Sequence, residues 1–283
     1  MLSSSGENPL SSAATEAPAS GLGRISAFII CRDEQAMLGA CLDSLEGFGE
    51  IVLVDSGSTD GTLDLIAGYQ AGGWPIRLIH RDWPGFAAQK QFALEQCAQA
   101  WCLGLDCDER LSEDLRRAIA RLALDRAGPA AFSFARLDWL PGYGYAPRWV
   151  HRHYHTRLFR KDIARYDLSA LLHEGLVLEG RATRMSDGPL LHFRNLSVGD
   201  ELEKINRYAT LKARQKFAAG ERASLARIVL RPLWRFAKSY LLQRYVLCGI
   251  PGLVYAAMLG IYVFLTEAKL HRLQAGPDVP DER

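Results

Sequence analysis

Apolar residues in the first 120 positions come in short runs separated by stretches of helical period. The runs at 25–31 (ISAFIIC), 51–54, 76–79 and 101–105 have strand length and no polar alternation, the pattern of strands buried on both faces. Between the first two, Met37, Leu38, Cys41, Leu42 and Leu45 share one face at helical spacing. The pattern predicts further helices up to about residue 69, over 86–97, and from Ser112 to about residue 122. Ser112, Glu113 and Asp114 make a favourable helix start. Strand and helix thus alternate four times, which predicts an α/β fold, a mostly parallel sheet with helices on both faces. Ligands bind such sheets at the carboxyl ends of the strands. Three carboxylate-bearing loops fall there: Asp33/Glu34, Asp55/Asp60 and Asp106/Asp108.

Beyond about residue 128 the rhythm changes. Short strands are expected at 131–137, 157–159 and 190–193, around a loop at 139–155 dense in Trp, Tyr, Pro, Gly and His. From residue 200 the chain reads as helix. Positions 204–244 carry eleven Lys or Arg and one acidic residue, Glu221, and 245–266 carry no charge at all. The organisation expected is a disordered tail at 1–23 and a catalytic domain at 24–199. That domain divides into a nucleotide-binding half (24–128) and an acceptor half (129–199). A helical, basic and apolar extension (200–272) and a tail (273–283) complete the chain.

Composition narrows the class without naming an activity. The 283 residues are 48% hydrophobic and 23% charged, with a net charge of +2, which excludes a fibre, a disordered chain and a polytopic membrane protein. Near-neutral charge speaks against a nucleic-acid partner. The six cysteines form no CxxC pair and no zinc-finger spacing, and most lie in apolar runs, which reads as a reducing cytoplasmic setting. The N-terminal 23 residues lack the basic and apolar regions of a secretory signal.

The chemistry concentrates in Asp106-Cys107-Asp108 after a buried strand. In a DxD the two carboxylates serve different partners, one a metal and the other sugar hydroxyls. A hard divalent cation held by one or two carboxylates completes its shell with water and substrate phosphates. Some 50 residues upstream, VDSGSTDGT (54–62) ends the second strand. With IICRDE at 29–34 and Gln89-Lys90 opening a helix, these motifs resemble the family 2 glycosyltransferases. That family has a GT-A fold, with VDDGSxDxT and YNEE at the first two sites. The sequence departs by Ser56 for the second Asp and by Arg32-Asp33 for Tyr-Asn. FAAQKQFAL, LGLDCDERL, His173-Glu174 and RPLWRF (231–236) are similar to bacterial lipopolysaccharide core β-1,4-glucosyltransferases, over roughly residues 24–270.

The resemblance implies roles. Asp55 would accept a hydrogen bond from the nucleotide base, and Asp106 would contact ribose or base. Asp108 would hold Mg²⁺ or Mn²⁺. Lys90 would lie near base or diphosphate, and Glu34 at the nucleotide rim. The donor would be a UDP-sugar. An inverting transfer needs a general base for the acceptor hydroxyl; Glu174 fits by position, with Asp167 and Asp187 as rivals. His192 is a candidate extra metal ligand or a core histidine. Asp60 reads as a loop brace. His151, His153 and His155 alternate on one strand face and would line the acceptor pocket. Trp139, Tyr143, Tyr145 and Trp149 are candidates for stacking on sugar rings, and Arg148, Arg152 and Arg157 for meeting acceptor phosphates.

The uncharged stretch at 245–266 would be about 33 Å long as one helix, enough to span a bilayer core. Pro251 between Gly249 and Gly252 would break or kink its start, leaving 14 residues beyond. Before it, Arg227, Arg231, Arg235 and Lys238 form one helical stripe beside Leu230, Leu233, Trp234, Ala237 and Leu241. That is the signature of a basic amphipathic helix lying in a membrane interface. The reading is an inverting hexosyltransferase, moving glucose from UDP-glucose onto a lipid-linked saccharide of the lipopolysaccharide inner core. Its expected place is the cytoplasmic face of the inner membrane, peripheral rather than spanning. Transfer to a polyprenyl phosphate and a non-catalytic nucleotide-binding scaffold remain alternatives.

Overall fold

The structure, a computed structural model, describes residues 21–124, 128–147, 149–168, 175–194 and 197–276. β1 (Ile25–Cys31) is buried at every position. It is followed by α1 (Gln35–Asp43), β2 (Glu50–Asp55), α2 (Thr62–Ala71), β3 (Ile76–His80), α3 (Phe86–Gln96) and β4 (Trp101–Leu105). These strands pair in parallel in the order β3-β2-β1-β4. Side chains alternate between the two faces of the sheet. Ile29, Leu53 and Leu105 join Leu38 and Leu42 of α1 in one core, while Phe28, Val52 and Val54 join Leu94 of α3 in the other. The continuous apolar runs of the sequence follow from this two-sided burial. Gly104 is required by close approach, since a Cβ there would lie 2.6 Å from Phe28 Cζ.

The chain continues with β5 (Glu109–Leu111), α4 (Glu113–Ala120), β6 (Ala131–Leu140), β7 (Gly144–Tyr145) and β8 (His153–Arg160). β9 (Ala164–Tyr166) and β10 (Leu176–Leu178) make a small separate ladder, and β11 (Thr183–His192) returns to the main sheet. Among the described residues the main sheet has nine strands, in the order β3-β2-β1-β4-β8-β6-β11-β5 with β7 on β6. β8 joins antiparallel to both β4 and β6, β6 and β11 run parallel, and β5 closes the edge antiparallel to β11. Three segments expected as short strands are therefore halves of longer ones. β5 was not expected, because three residues beside an acidic loop carry no periodicity. Ser112 caps α4 by accepting from Leu115 N at 3.3 Å.

Three helices finish the chain: α5 (Val198–Ala218), α6 (Leu225–Ala237) and α7 (Gly249–Gln274). Ser197 and Ser224 cap the first two with their side chains. Pro251 does not break α7. The chain turns at Gly249, whose φ is +61°, and Pro251 falls in the first helical turn, where its missing N–H has no partner to lose. Gly252 lets that turn close over the preceding segment, as a Cβ there would sit 1.9 Å from the Tyr245 carbonyl oxygen.

The basic stretch is not one uniform surface. Glu267 of α7, 1% exposed, gathers Lys216 of α5 with Arg231 (2.8 Å) and Arg227 (3.4 Å) of α6. Arg227 and Arg231 therefore turn inward, instead of extending the outward stripe expected of them. A buried carboxylate is tolerated only with such partners, and removing it strands their charges. Glu267→Ala should lower unfolding free energy by about 2–3 kcal/mol, below the range for fully buried pairs because Arg231 is half-exposed. Chemical denaturation measures this, and an unchanged midpoint with unchanged slope would contradict the clamp.

Candidate active site

The carboxyl ends of β1, β2 and β4 meet at one rim, and the first two loops there are braced together. Asp33, in the left-handed region at φ +54°, accepts from Thr59 N (2.7 Å) and Asp60 N (3.3 Å). Its own N–H donates to Ser58 Oγ at 2.9 Å. Asp60 accepts from Thr62 N at 2.9 Å and Gln35 N at 3.1 Å, the loop brace expected of it. Asp55 is fully buried and accepts from Gly57 N (3.0 Å) and Ser58 N (3.2 Å), with His80 Nδ1 at 3.3 Å. Burial works against its charge, but the Ser58 and Gly57 donors win and lower its pKa. Its carboxylate is committed to its own loop and offers no exposed oxygen to a base.

Within the protein the two carboxylates of the DxD meet different side chains. Asp106 receives Lys90 Nζ at 2.5 Å on one oxygen and Arg157 at 2.8 Å on the other. Burial opposes its ionisation, yet Lys90 and then Arg157 hold it well below the ordinary carboxylate range. Lys90 is itself 2% exposed, so it is a buried counter-ion and does not reach the cleft surface. Arg157 also grips Glu109 at 2.6 Å, a fully buried carboxyl at the start of β5. Cys107 points into the core between the two.

Asp108 faces the other way. Its Oδ2 meets His192 Nε2 at 3.2 Å and an Arg194 amine at 2.5 Å. His192 Nδ1 is 2.8 Å from Asp138 Oδ1. Burial alone would lower the His192 pKa, but hydrogen bonds with Asp108 and Asp138 push it up to about 9. Glu34 lies close by. Burial first, then the Asp108 charge, raises its carboxyl to about 7.

This arrangement fits a divalent cation. Asp108 and His192 supply one oxygen and one nitrogen within reach of a single ion. Burial is the larger cause of the raised Glu34 pKa, and the Asp108 charge, the second, is one that a dication would offset. Among the described residues no three His, Cys, Asp or Glu side chains enclose a metal by themselves. The ion's remaining ligands would come from water and a diphosphate, as for Mg²⁺ and similar hard cations.

A cleft of about 1040 Å³ opens over this rim. Glu34, Asp106, Asp108, His192 and Arg194 line one side, and Lys204, Arg207 and Tyr208 of α5 line another. Lys204 and Arg207, counted in the basic stretch, thus belong to the site. His155, Tyr154 and Arg157 of β8 and Gly175 also line the cleft. The aromatics expected to stack on sugars do not: Trp139 packs on Tyr145 (5.1 Å) and Phe193 (5.0 Å). Asp187 is exposed outside the cleft, and Asp167 flanks it, its N–H on the Gly175 carbonyl at 2.8 Å. Glu174 and Arg148 lie outside the described residues. Glu109, Asp138 and Arg194 were not anticipated, because their roles come from strand pairings distant in sequence.

The profile of Glycosyl transferase family 2 matches residues 26–170, and the segment holds both rim loops and the DxD. The chain belongs to this family. It is a glycosyltransferase with an α/β GT-A fold. A relative in Rhizobium meliloti, named lipopolysaccharide core biosynthesis glycosyltransferase LpsC, is 44% identical over 260 residues, covering 91% of this chain and 96% of that one. An uncharacterized glycosyltransferase of Rickettsia prowazekii is 26% identical, covering 88% and 87%. Among solved structures, the mannosyltransferase PcManGT of Pyrobaculum calidifontis, in complex with GDP-Man and Mn²⁺, is 15% identical with a TM-score of 0.48 over 91% of this chain and 76% of that one. S. aureus TarS 1–349 in complex with UDP-GlcNAc is 15% identical with a TM-score of 0.45, covering 90% and 93%.

The raised Glu34 pKa has a measurable sign. In the folded, metal-free protein Glu34 stays protonated to about pH 7, whereas unfolded it ionises near the ordinary glutamate value of 4.5. The unfolded chain therefore binds fewer protons between these values, and wild-type stability falls as pH rises through them. Glu34→Gln lacks this loss. In EDTA the melting midpoint of wild type should drop relative to Glu34→Gln from about pH 4.5 to 7, then run parallel above; parallel curves throughout would contradict the shift.

Proposed function

We propose that this glycosyltransferase moves glucose from UDP-glucose, with inversion, onto the inner core of lipopolysaccharide. The carrying observation is the Asp108–His192 pair at the strand-end rim, facing a cleft that Glu34 also lines. The near full-length similarity to the Rhizobium core glycosyltransferase supports the acceptor class.

Asp108 and His192 would hold Mg²⁺ or Mn²⁺. A bound cation supplies Lewis acidity and neutralises the diphosphate leaving group. Asp106 orients the nucleotide end, held in place by Lys90 and Arg157, and Asp55 keeps the second rim loop in shape. Arg194, now on Asp108, is within reach of the space a diphosphate would fill. Glu174 takes the proton of the acceptor hydroxyl as its oxygen bonds the anomeric carbon. The bond from that carbon to the diphosphate breaks on the opposite face, and nucleoside diphosphate leaves. Gly175, the next residue in sequence, lines the cleft, which supports this reading.

Two variants separate these roles. Glu174→Gln should lower kcat by about 10²–10⁴-fold, the usual contribution of a general base, with donor binding intact. Asp108→Ala should lose both transfer and the metal-dependent part of UDP binding. Turnover of Glu174→Gln within a few-fold of wild type would remove it as the base.

The acceptor reading also calls for a membrane surface, the cytoplasmic leaflet of the inner membrane. Among the described residues, one helical stretch (Tyr245–Gln274) is long and apolar enough to cross a bilayer, and 28% of its most apolar window is buried. We read it as lying in the interface. Exposed apolar side chains continue from α6 (Leu230, Leu233, Trp234) through Leu242 and Leu247 to Ile250. Lys238, Arg244 and Arg272 are exposed nearby, where each basic group adds roughly 1 kcal/mol on an anionic leaflet. Leu233→Glu combined with Trp234→Glu should reduce partitioning to anionic vesicles at least tenfold, with transfer to a soluble acceptor fragment retained. Undiminished partitioning would place the contact elsewhere.

A further inference from the structure

We infer that Asp138 is a positioning residue that aims His192 Nε2 at the cation site beside Asp108. The inference rests on the reading of Asp108 and His192 as the cation's ligands. It starts from register. β6 and β11 run parallel, and Asp138 and His192 stand directly across from one another in that pairing. Strand partners project their side chains to the same face, so the carboxylate and the imidazole are set side by side by the sheet itself. Asp138 is 8% exposed, and its Oδ1 is 2.8 Å from His192 Nδ1. The other ring nitrogen is 3.2 Å from Asp108 Oδ2. A ring tied at both nitrogens cannot rotate without giving up a bond to a carboxylate.

Charge balance supports the same role. A nearly buried carboxylate costs several kcal/mol unless it is paired. Asp138 has Arg136 Nε at 3.1 Å as its ion pair, and Arg136 also approaches Glu109 at 3.9 Å. The structure thus retains a costly buried charge whose described side-chain partners are Arg136 and the candidate ligand. Both ring nitrogens here face carboxylate acceptors; when a cation takes the place of the Nε2 proton, the Nδ1–H held by Asp138 leaves the ring in the tautomer a metal requires. Metal-binding histidines commonly hold a carboxylate in this way, and losing it typically weakens metal affinity by about 10–100-fold.

The test uses the full-length protein with UDP, titrated with Mn²⁺ and followed by electron paramagnetic resonance. Wild type should show nitrogen coupling from an imidazole on bound Mn²⁺, and His192→Ala should lack it. Asp138→Ala should bind Mn²⁺ about 10–100-fold more weakly, with reduced nitrogen coupling and unchanged UDP binding in EDTA. Asp138→Asn, whose amide oxygen still accepts from Nδ1, should stay close to wild type. If Asp138→Ala fails to fold, Asp138→Ser, too short to reach the ring, makes the same comparison. Unchanged Mn²⁺ affinity and coupling in these truncations, with His192→Ala silent, would overturn the inference alone. Absence of nitrogen coupling in wild type would overturn the ligand reading, and the inference with it.

Discussion

The pairing of Asp106, at the end of β4, with two close cations sets the terms for the rest of the site. Lys90 is the buried member of its pair with Asp106, and a buried ammonium is costly unless a carboxylate meets it. Lys90 comes from α3 and Arg157 from β8, so elements before and after the DxD meet on one side chain. Arg157 also neutralises Glu109, which anchors the short edge strand β5. Both DxD carboxylates line the cleft; with Asp106 held by Lys90 and Arg157, Asp108 is the one that meets His192 and Arg194. The division of labour between the two aspartates follows from which one the counter-ions reach.

A buried carboxylate organises the C-terminal helices. Glu267 draws cations from α5 and α6 onto α7, and this frees the opposite apolar faces of α6 and α7 to point outward. α5 belongs to both parts of the molecule. Its first turns carry Lys204, Arg207 and Tyr208 into the cleft, and its last turns are clamped to α7. α5 therefore joins the wall proposed to meet the acceptor to the helices whose outer face is proposed to rest on lipid.

Much of this was legible in the sequence because its cause is local. Buried parallel strands need uninterrupted apolar runs, and 25–31 and 101–105 have them. Ser112 with two acids behind it starts a helix wherever it stands. The carboxylates at strand ends could be gathered to one rim from topology alone. What the sequence hid depends on pairing between distant segments. Nothing near Asp138 announces that β11 will set His192 beside it. Lys90 looks like a ligand-binding lysine until its burial against Asp106 is seen. The basic residues of 204–244 are alike on paper, yet they divide among the cleft, the Glu267 clamp and the outer surface. Asp55 carries a family motif, and its carboxylate is nonetheless spent on its own loop.

The central claim is a cation-assisted transfer from a sugar nucleotide to a lipid-linked core saccharide. It is tested most directly by nucleoside diphosphate release from a panel of sugar nucleotides. Purified protein would be assayed with and without heptose-terminated core lipid, in Mn²⁺, Mg²⁺ or EDTA. The account predicts UDP release from UDP-glucose that needs the cation and is stimulated by the core lipid. Release that is indifferent to EDTA, or nucleotide binding without turnover on every donor and acceptor, would contradict it.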